Sequence, residues 1–297
     1  MNNKILITGG TGYIGSNLIK ELLNRGFEIY AIYNKTAPIQ IDERLHWINY
    51  DGSFDSLLAI DKKIDIIVHL ATVFVPKHTT GLVDNILRTN IMLGVHLLEY
   101  AKENDIKRFI NTSTYAQSID ESSYNPQNFY SATKQAFDDI LKFYSEANLL
   151  KSITLSLYDT YGPRDNRPKF INLVIDAFNK NEVFNMSPGN QTIRYVYIDD
   201  VVEAFCMSIE LLLSDTLKKS TTYNVYGNES FTLNEMIRHI CKVFDKDLKT
   251  NPGFYSYRDR EIMDCKPKFD RIPNWFPKFN LEDGVKQIIL QNENNRN

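Results

Sequence analysis

Short apolar runs alternate with stretches of helical period through the first half of the chain. Lys4–Thr8 reads as a buried strand. Behind it, Ile14, Leu18, Ile19, Leu22 and Leu23 recur at helical spacing and predict a helix over Gly15–Arg25, closed by Gly26. Further strands are predicted at Phe27–Tyr33, His46–Tyr50, Ile64–Leu70, Arg108–Thr112 and Ile153–Leu157, and helices at Ile86–Asn104 and Tyr130–Ala147. Strands that are apolar throughout, separated by helices, predict an α/β fold with a doubly wound parallel sheet covered on both faces.

After Tyr161-Gly162-Pro163 the alternation stops, and prolines, glycines and aromatics become frequent. Tyr195–Ile198, leading into a helix from Asp199, and Thr222–Val225 still read as parts of the sheet domain. The expected division is therefore a Rossmann-type dinucleotide-binding domain over residues 1–163 with 191–227. Residues 164–190 with 228–291 form a smaller, irregular α/β lobe, and 292–297 a polar tail.

Composition narrows the classes. The chain has 297 residues, 43% hydrophobic and 24% charged, with a formal charge of −3. That length and hydrophobic share support a sizeable core without metal or disulfide staples. Charge this balanced gives no basic footprint for nucleic acid. Cys206, Cys241 and Cys265 are odd in number and widely spaced, which suits a reducing cytosol, and Cys/His spacing for zinc is absent. No stretch approaches the ~20 apolar residues of a membrane helix, and the three apolar residues near the N-terminus are too few for a signal-peptide core. The expectation is a soluble, cytoplasmic protein.

The first chemical motif follows the first strand: Thr8-Gly9-Gly10-Thr11-Gly12-Tyr13-Ile14-Gly15. Gly10, Gly12 and Gly15 fit the G-x-G-x-x-G spacing, and a strand precedes and a helix follows, the context in which such a turn binds a dinucleotide pyrophosphate. The helix start supplies N–H groups and a positive dipole end. The second strand ends Tyr33-Asn34-Lys35, without the carboxylate that accepts the 2′-hydroxyl of an NAD ribose. Lys35 suits a 2′-phosphate, so NADP is favoured over NAD; in the other reading Lys35 is a solvated loop lysine and backbone holds the ribose.

A second motif, Tyr130-Ser131-Ala132-Thr133-Lys134, puts a phenol and an ammonium on one helical face. A phenol titrates near ~10, and a nearby cation is expected to lower that value and make it a usable acid–base. Sixteen residues upstream, a strand ends in Ser113-Thr114, where a hydroxyl at the carboxyl edge of the sheet can orient the same substrate oxygen.

Together with Asp51, His69-Leu70-Ala71, Asn90, Tyr161-Gly162-Pro163, Arg194–Asp200 and Leu281–Ile288, these motifs resemble the extended short-chain dehydrogenase/reductase family, the NAD-dependent epimerase/dehydratase family of nucleotide-sugar enzymes. The resemblance implies that Tyr130 is the acid/base, that Lys134 tunes it and holds the nicotinamide ribose, and that Thr114 is the catalytic hydroxyl, with Ser113 in reserve. It implies cofactor contacts at Gly9, Gly12, Tyr13, Ile14, Gly15, Asn34, Lys35, Asp51, Gly52, Leu70, Ala71, Thr72 and Asn90, and at Tyr130 and Lys134 themselves. Asn90 would support the active-site loop or simply cap its helix. Ser113, Thr114 and Tyr115 would meet the sugar, while Arg194 and Arg260 would grip the diphosphate. In many relatives, helices equivalent to 86–104 and 130–147 pair in a homodimer.

Two departures shape the functional expectation. Tyr115-Ala116 stands where the 4,6-dehydratases carry Asp-Glu, so elimination of water is not expected. Asp159 stands where relatives have asparagine, and its charge argues against a direct phosphate contact. The missing strand-end carboxylate favours a reductase, and the loop Tyr115-Ala116-Gln117-Ser118 after Thr114, with the segments Tyr124–Lys134 and Tyr158–Pro168, resembles 4-keto-sugar reductases of the CDP-abequose and dTDP-fucose synthase type. The leading expectation is NADPH-dependent reduction of the C4 ketone of a nucleotide-linked 4-keto-6-deoxyhexose, for surface-polysaccharide precursors. The alternatives are an NAD-dependent C4-type epimerase and, more remotely, a catalytically idle dinucleotide- or RNA-binding member of the fold.

Overall fold

The computed structural model describes residues 3–34, 38, 41–60, 62–120, 122 and 124–294, the last three by their backbone alone. Lys35, expected at the cofactor ribose, lies outside the described residues.

Seven strands form one sheet: β1 (Lys4–Thr8), β2 (Glu28–Tyr33), β3 (Leu45–Asn49), β4 (Ile66–His69), β5 (Arg108–Thr114), β6 (Lys151–Leu157) and, later in the chain, β11 (Thr221–Val225). Their order is β3-β2-β1-β4-β5-β6-β11 and every pairing is parallel. Alternate residues enter two separate cores, which is why the strands read as unbroken apolar runs. Ile5, Ile7, Ile29, Ala31, Ile66 and Val68 face one layer; Leu6, Tyr30, Ile32, Ile67 and Phe109 face the other.

The first layer holds α1 (Tyr13–Asn24) and α6 (Ile198–Leu213), joined at their surface by Arg25, which bridges Glu21, Glu203 and Glu210. The second holds a helical run that begins as α2 (Val83–Leu87), passes through a π-helical segment at Arg88–Met92 and continues as α3 (Leu93–Glu103). Beside it packs α4 (Phe129–Glu146). The expected helix at 86–104 thus starts three residues earlier and carries a π turn at its centre, a feature frequent at functional sites.

Among the described residues, three two-stranded sheets lie outside the main sheet: β7 (Asp159–Tyr161) with β10 (Tyr195–Tyr197), β8 (Phe184–Met186) with β13 (Thr250–Pro252), and β9 (Thr192–Ile193) with β12 (Phe231–Thr232). Tyr195–Ile198, read as part of the sheet domain, supplies β10, which pairs with β7 outside the main sheet and leads directly into α6. Helices α5 (Phe170–Lys180), α7 (Leu233–Phe244) and α8 (Leu281–Asn294) complete the chain, and α8 runs into the segment read as a polar tail.

Much of the later part of the chain shares the core of the sheet domain, while Ile262 and Cys265 form a small cluster with Ala116 and Tyr158. Ile171, Val174, Phe178, Met236, Ile240 and Trp275 belong to the same apolar cluster as α1 and α6. Buried Asp200, at the start of α6, fixes the last stretch by accepting the amides of Lys278 (2.8 Å) and Phe279 (3.1 Å). None of the described helices is long and apolar enough to cross a membrane.

Candidate active site

The sheet order reverses between β1 and β4, and the carboxyl ends of these strands open into a cleft of about 1410 Å³. Open α/β sheets bind ligands at such a switch point. Thr8 holds the two strand ends together: its hydroxyl accepts the amides of Leu70 and Ala71, both at 3.1 Å, and contacts His69 Nδ1 at 2.7 Å.

At the turn after β1, Gly9 has φ +72°, and a side chain there would meet the Ala71 backbone. A Cβ on Gly15 would lie 2.1 Å from the Gly9 carbonyl oxygen, so the turn closes only with glycine at both positions. Gly12, the N-cap of α1, contributes no side-chain oxygen, and the first turn has no acidic residue. The opening N–H groups of the helix are therefore left to an anion from the cleft, which is how this turn fits a dinucleotide pyrophosphate. Gly9, Gly12, Tyr13, Ile14 and Gly15 all line the cleft, as do Asn34, Asp51, Gly52, Leu70, Ala71 and Thr72. Asp51 is held below the usual carboxylate range by hydrogen bonds from Ser53.

Asn90 does not line the cleft and is not a helix cap. Buried within the π turn, it accepts from the Thr72 hydroxyl (3.1 Å) and the Val73 amide (2.8 Å), and donates to the Val73 carbonyl and to Thr133 Oγ1. It ties the loop after β4 to α4, one turn from Tyr130. A π turn spaces the helix so that one side chain can serve both.

Thr114 and Tyr130 face the cleft together. Thr114 ends β5, and its hydroxyl accepts the Ala116 amide at 3.3 Å. Asn128 caps the start of α4 by accepting from the Ser131 amide, which fixes where Tyr130 leaves the helix. The Tyr130 ring stands edge-on to Phe74, with centroids 5.0 Å apart. Burial pushes the Tyr130 phenol above its ordinary value, against the expected lowering, while Thr72's hydroxyl pulls the other way. Lys134 is buried and does not itself line the cleft. Burial lowers its ammonium to about 8, with Asp138 opposing the shift. Desolvation is the largest influence on both groups.

Ser113 lines the cleft, but its hydroxyl donates to Asp138 Oδ2 at 2.8 Å. Asp138 also accepts from Asn111 and Gln117, both at 2.6 Å, so Ser113 serves this buried carboxylate and leaves Thr114 as the available hydroxyl. Sequence reading missed Asp138, although its place four residues after Lys134 put it on the same helical stripe.

The two arginines expected at a diphosphate are placed elsewhere. Arg194 does not line the cleft; it stacks 5.4 Å over Tyr226 and donates to the Asn228 carbonyl. Arg260 is also off the cleft and donates through Nε to the Pro126 carbonyl at 2.8 Å. The cations that do line it include Arg167, Lys169 and Arg258. Arg167 is paired with Asp165 and lies 4.7 Å over the Tyr13 ring. These residues sit in segments without periodicity, where nothing in the sequence separates a ligand-facing cation from a solvated one.

Tyr115 and Asp159 also line the cleft. The Tyr115 hydroxyl donates to Asp159 Oδ2 at 2.8 Å, and Lys169 Nζ donates to Oδ1 at 2.7 Å. Burial works to raise Asp159, but Lys169 and Tyr115 together bring it below its ordinary value.

Comparison with known proteins completes the picture of the site. Residues 5–225 match the model of the NAD dependent epimerase/dehydratase family. CDP-abequose synthase from Yersinia pseudotuberculosis is 30% identical, covering 96% of this chain and 98% of its own. A CDP-abequose synthase from Salmonella muenchen is 29% identical, covering 99% of both. Among solved structures, MoeE5 in complex with UDP-glucuronic acid and NAD superposes with a TM-score of 0.84 at 21% identity, covering 99% of this chain and 100% of that one. At that identity the likeness concerns the fold alone.

Proposed function

The chain belongs to the NAD dependent epimerase/dehydratase family, and we propose that within it the chain reduces the C4 ketone of a nucleotide-linked 4-keto-6-deoxyhexose with NADPH. One observation carries this reading: Thr114 and Tyr130 share a cleft with the glycine turn, while Asp159, a carboxylate lining the same cleft, is held by Lys169 and Tyr115. The site thus offers a proton donor and a hydrogen-bonding hydroxyl but no free carboxylate directly after Thr114 to remove water. Two full-length relatives named CDP-abequose synthase support the choice of a deoxysugar nucleotide.

The glycine turn and the open start of α1 would hold the dinucleotide phosphates, and Asp51, Gly52, Ala71 and Thr72 its flanks. Bound there, the reduced nicotinamide supplies hydride. Thr114 donates a hydrogen bond to the sugar ketone. Tyr130, which burial keeps protonated, gives its proton to the same oxygen as charge develops on it. Lys134 stabilises the phenolate left behind and is neutralised in part by Asp138. Asn90 fixes the Thr72–Val73 loop against α4, so the phenol and the cofactor wall keep their spacing.

The cofactor preference rests on the end of β2, where Asn34 stands in place of a carboxylate and Lys35 follows. Residues 164–190 and 228–291 would form the nucleotide-sugar lobe, with Arg258 as the diphosphate ligand. A homodimer through the α2–α3 and α4 faces suits the exposed Leu87, Met92 and Phe143.

The deciding experiment mixes the protein with NADPH and enzymatically prepared 4-keto-6-deoxy nucleotide sugars. Loss of reduced-nicotinamide absorbance with formation of the 4-hydroxy product is expected. Interconversion of a saturated nucleotide sugar without net cofactor change would replace the reductase by an epimerase. Tighter binding of NADH than NADPH in a thermal-shift titration would overturn the cofactor assignment.

A further inference from the structure

Of the charged groups in the cleft, Lys169 and Asp159 are the pair that the proposed proton transfer does not use. Their side chains are 25% and 13% exposed, and the ammonium and carboxylate meet at 2.7 Å. The second carboxylate oxygen is taken by Tyr115, whose ring stacks on Tyr158 with centroids 4.7 Å apart and planes 17° from parallel. Lys169 Nζ also lies 5.4 Å from the Phe74 ring centre, and Phe74 touches the Tyr130 ring. These contacts place the group beside the reacting phenol.

The charges and the hydrogen-bond accounting determine what this wall can receive. The pair has no net charge, and Asp159 would repel a phosphate brought against it. Lys169 carries three donors and spends one on Asp159, so donors remain for the cleft. Tyr115 spends its one hydrogen on Asp159 and can offer only a lone pair. A donor set by a lysine next to an acceptor set by a tyrosine complements a group that both accepts and donates. A hydroxyl does both; a ketone or a phosphate oxygen only accepts.

We propose that Lys169 and Tyr115, oriented by Asp159, form the specificity wall for a ring hydroxyl of the hexose, and that Lys169 does not bind the diphosphate. The assignment rests on the reading of the substrate as a nucleotide sugar and names the groups that read its sugar. A partly buried ion pair locked at both carboxylate oxygens can present these two groups at a fixed spacing, which a lone flexible lysine would not do.

The test is calorimetric titration of the NADP⁺-loaded protein with two probes, a nucleoside diphosphate and the same nucleoside diphosphate bearing glucose, in the CDP, UDP and dTDP series. For Lys169→Met the sugar-bearing probe should bind roughly 10- to 100-fold more weakly, the loss of a charged hydrogen bond. The bare diphosphate should stay within about twofold, and NADP⁺ binding reports that the variant is folded. Tyr115→Phe removes the acceptor without removing a charge and should show the same selective loss, smaller in size. Equal weakening of both probes would make Lys169 a phosphate ligand and overturn the proposal, as would no change in either. Wild-type protein that binds neither kind of probe would overturn the nucleotide-sugar reading itself, and this assignment with it.

Discussion

The two ends of the cleft are built on different principles. At the β1–α1 end the chain presents backbone: a glycine turn and an uncapped helix start, braced where the Thr8 hydroxyl accepts the amides after β4. At the far end it presents side chains, with Arg258, Lys169, Asp159 and Tyr115 set by short strands and loops. A backbone site depends on where chain reversals occur, and few residue types allow them. A side-chain site depends on the identity of every residue that faces the ligand. The first kind suits a ligand common to a family, and the second suits one that differs between its members.

The sharpest way to break this contrast is at the residue between the two ends. Tyr130→Phe should lower turnover by about 10²–10⁴ while leaving NADPH affinity unchanged, because the backbone end does not need the phenol. Single-turnover rates with a 4-keto nucleotide sugar, beside a cofactor titration, measure both. Turnover near that of the wild type would remove Tyr130 from the mechanism and the junction from the comparison.

A second test takes the side-chain end alone. Arg258→Ala should raise KM for the nucleotide sugar roughly 10- to 100-fold with little change for the cofactor. Arg260→Ala should move KM less than about threefold, since its contact is with the Pro126 carbonyl. The reverse ranking would restore the sequence-based choice of Arg260 and separate the cleft described here from the substrate-bound one.

How much could be read beforehand follows the same division. Ile5, Ile7 and Leu6 alternate between two covered faces, so β1 announces itself as an apolar run, and Gly15 is required by a contact with Gly9 only two turns of chain away. The sheet and the glycine turn were legible for that reason. Tyr130 and Lys134 were legible because helical spacing sets their relation. Their titration was not, since burial decides it and depends on the whole fold. Lys169 reaches Asp159 across a proline-containing loop, and Asn90 reaches Thr133 across 43 residues through a π turn. No local period encodes either contact. β7 to β10 are two or three residues long, too short to show one.

The lysine beneath the junction gives a graded test. Lys134 is held at about 8 by burial, so it is charged below that pH and loses its proton above it. At saturating NADPH, kcat/KM for the nucleotide sugar should fall above about pH 8, approaching tenfold per unit. Asp138 raises Lys134, so Asp138→Asn should move this alkaline limb to lower pH. An unmoved limb in that variant would show that the profile reports another group.

The last test concerns stability, at the joint that holds the backbone end together. Leu70 and Ala71 amides occupy both lone pairs of the Thr8 hydroxyl, so its hydrogen goes to His69 Nδ1. The ring must then stay neutral; burial, followed by the charge of Lys134, pushes it from 6.5 to about 3. Unfolded, the same histidine takes up a proton below about pH 6.5. The stability tied to His69 is therefore fully present above that pH and is lost as pH falls from 6.5 toward about 3, at up to about 1.4 kcal/mol per pH unit. Asparagine can offer Oδ1 where the ring offers Nδ1, keeping the Thr8 contact without a titrating group. Urea unfolding of wild type and His69→Asn at pH 7.5, 6.5, 5.5 and 4.5 separates this contribution from that of the carboxylates, which both proteins share. The wild-type curve should fall away from the variant's below pH 6.5. Parallel curves would mean that the strand ends are not held by a neutral imidazole, and the backbone end of the cleft would lose its distinguishing support.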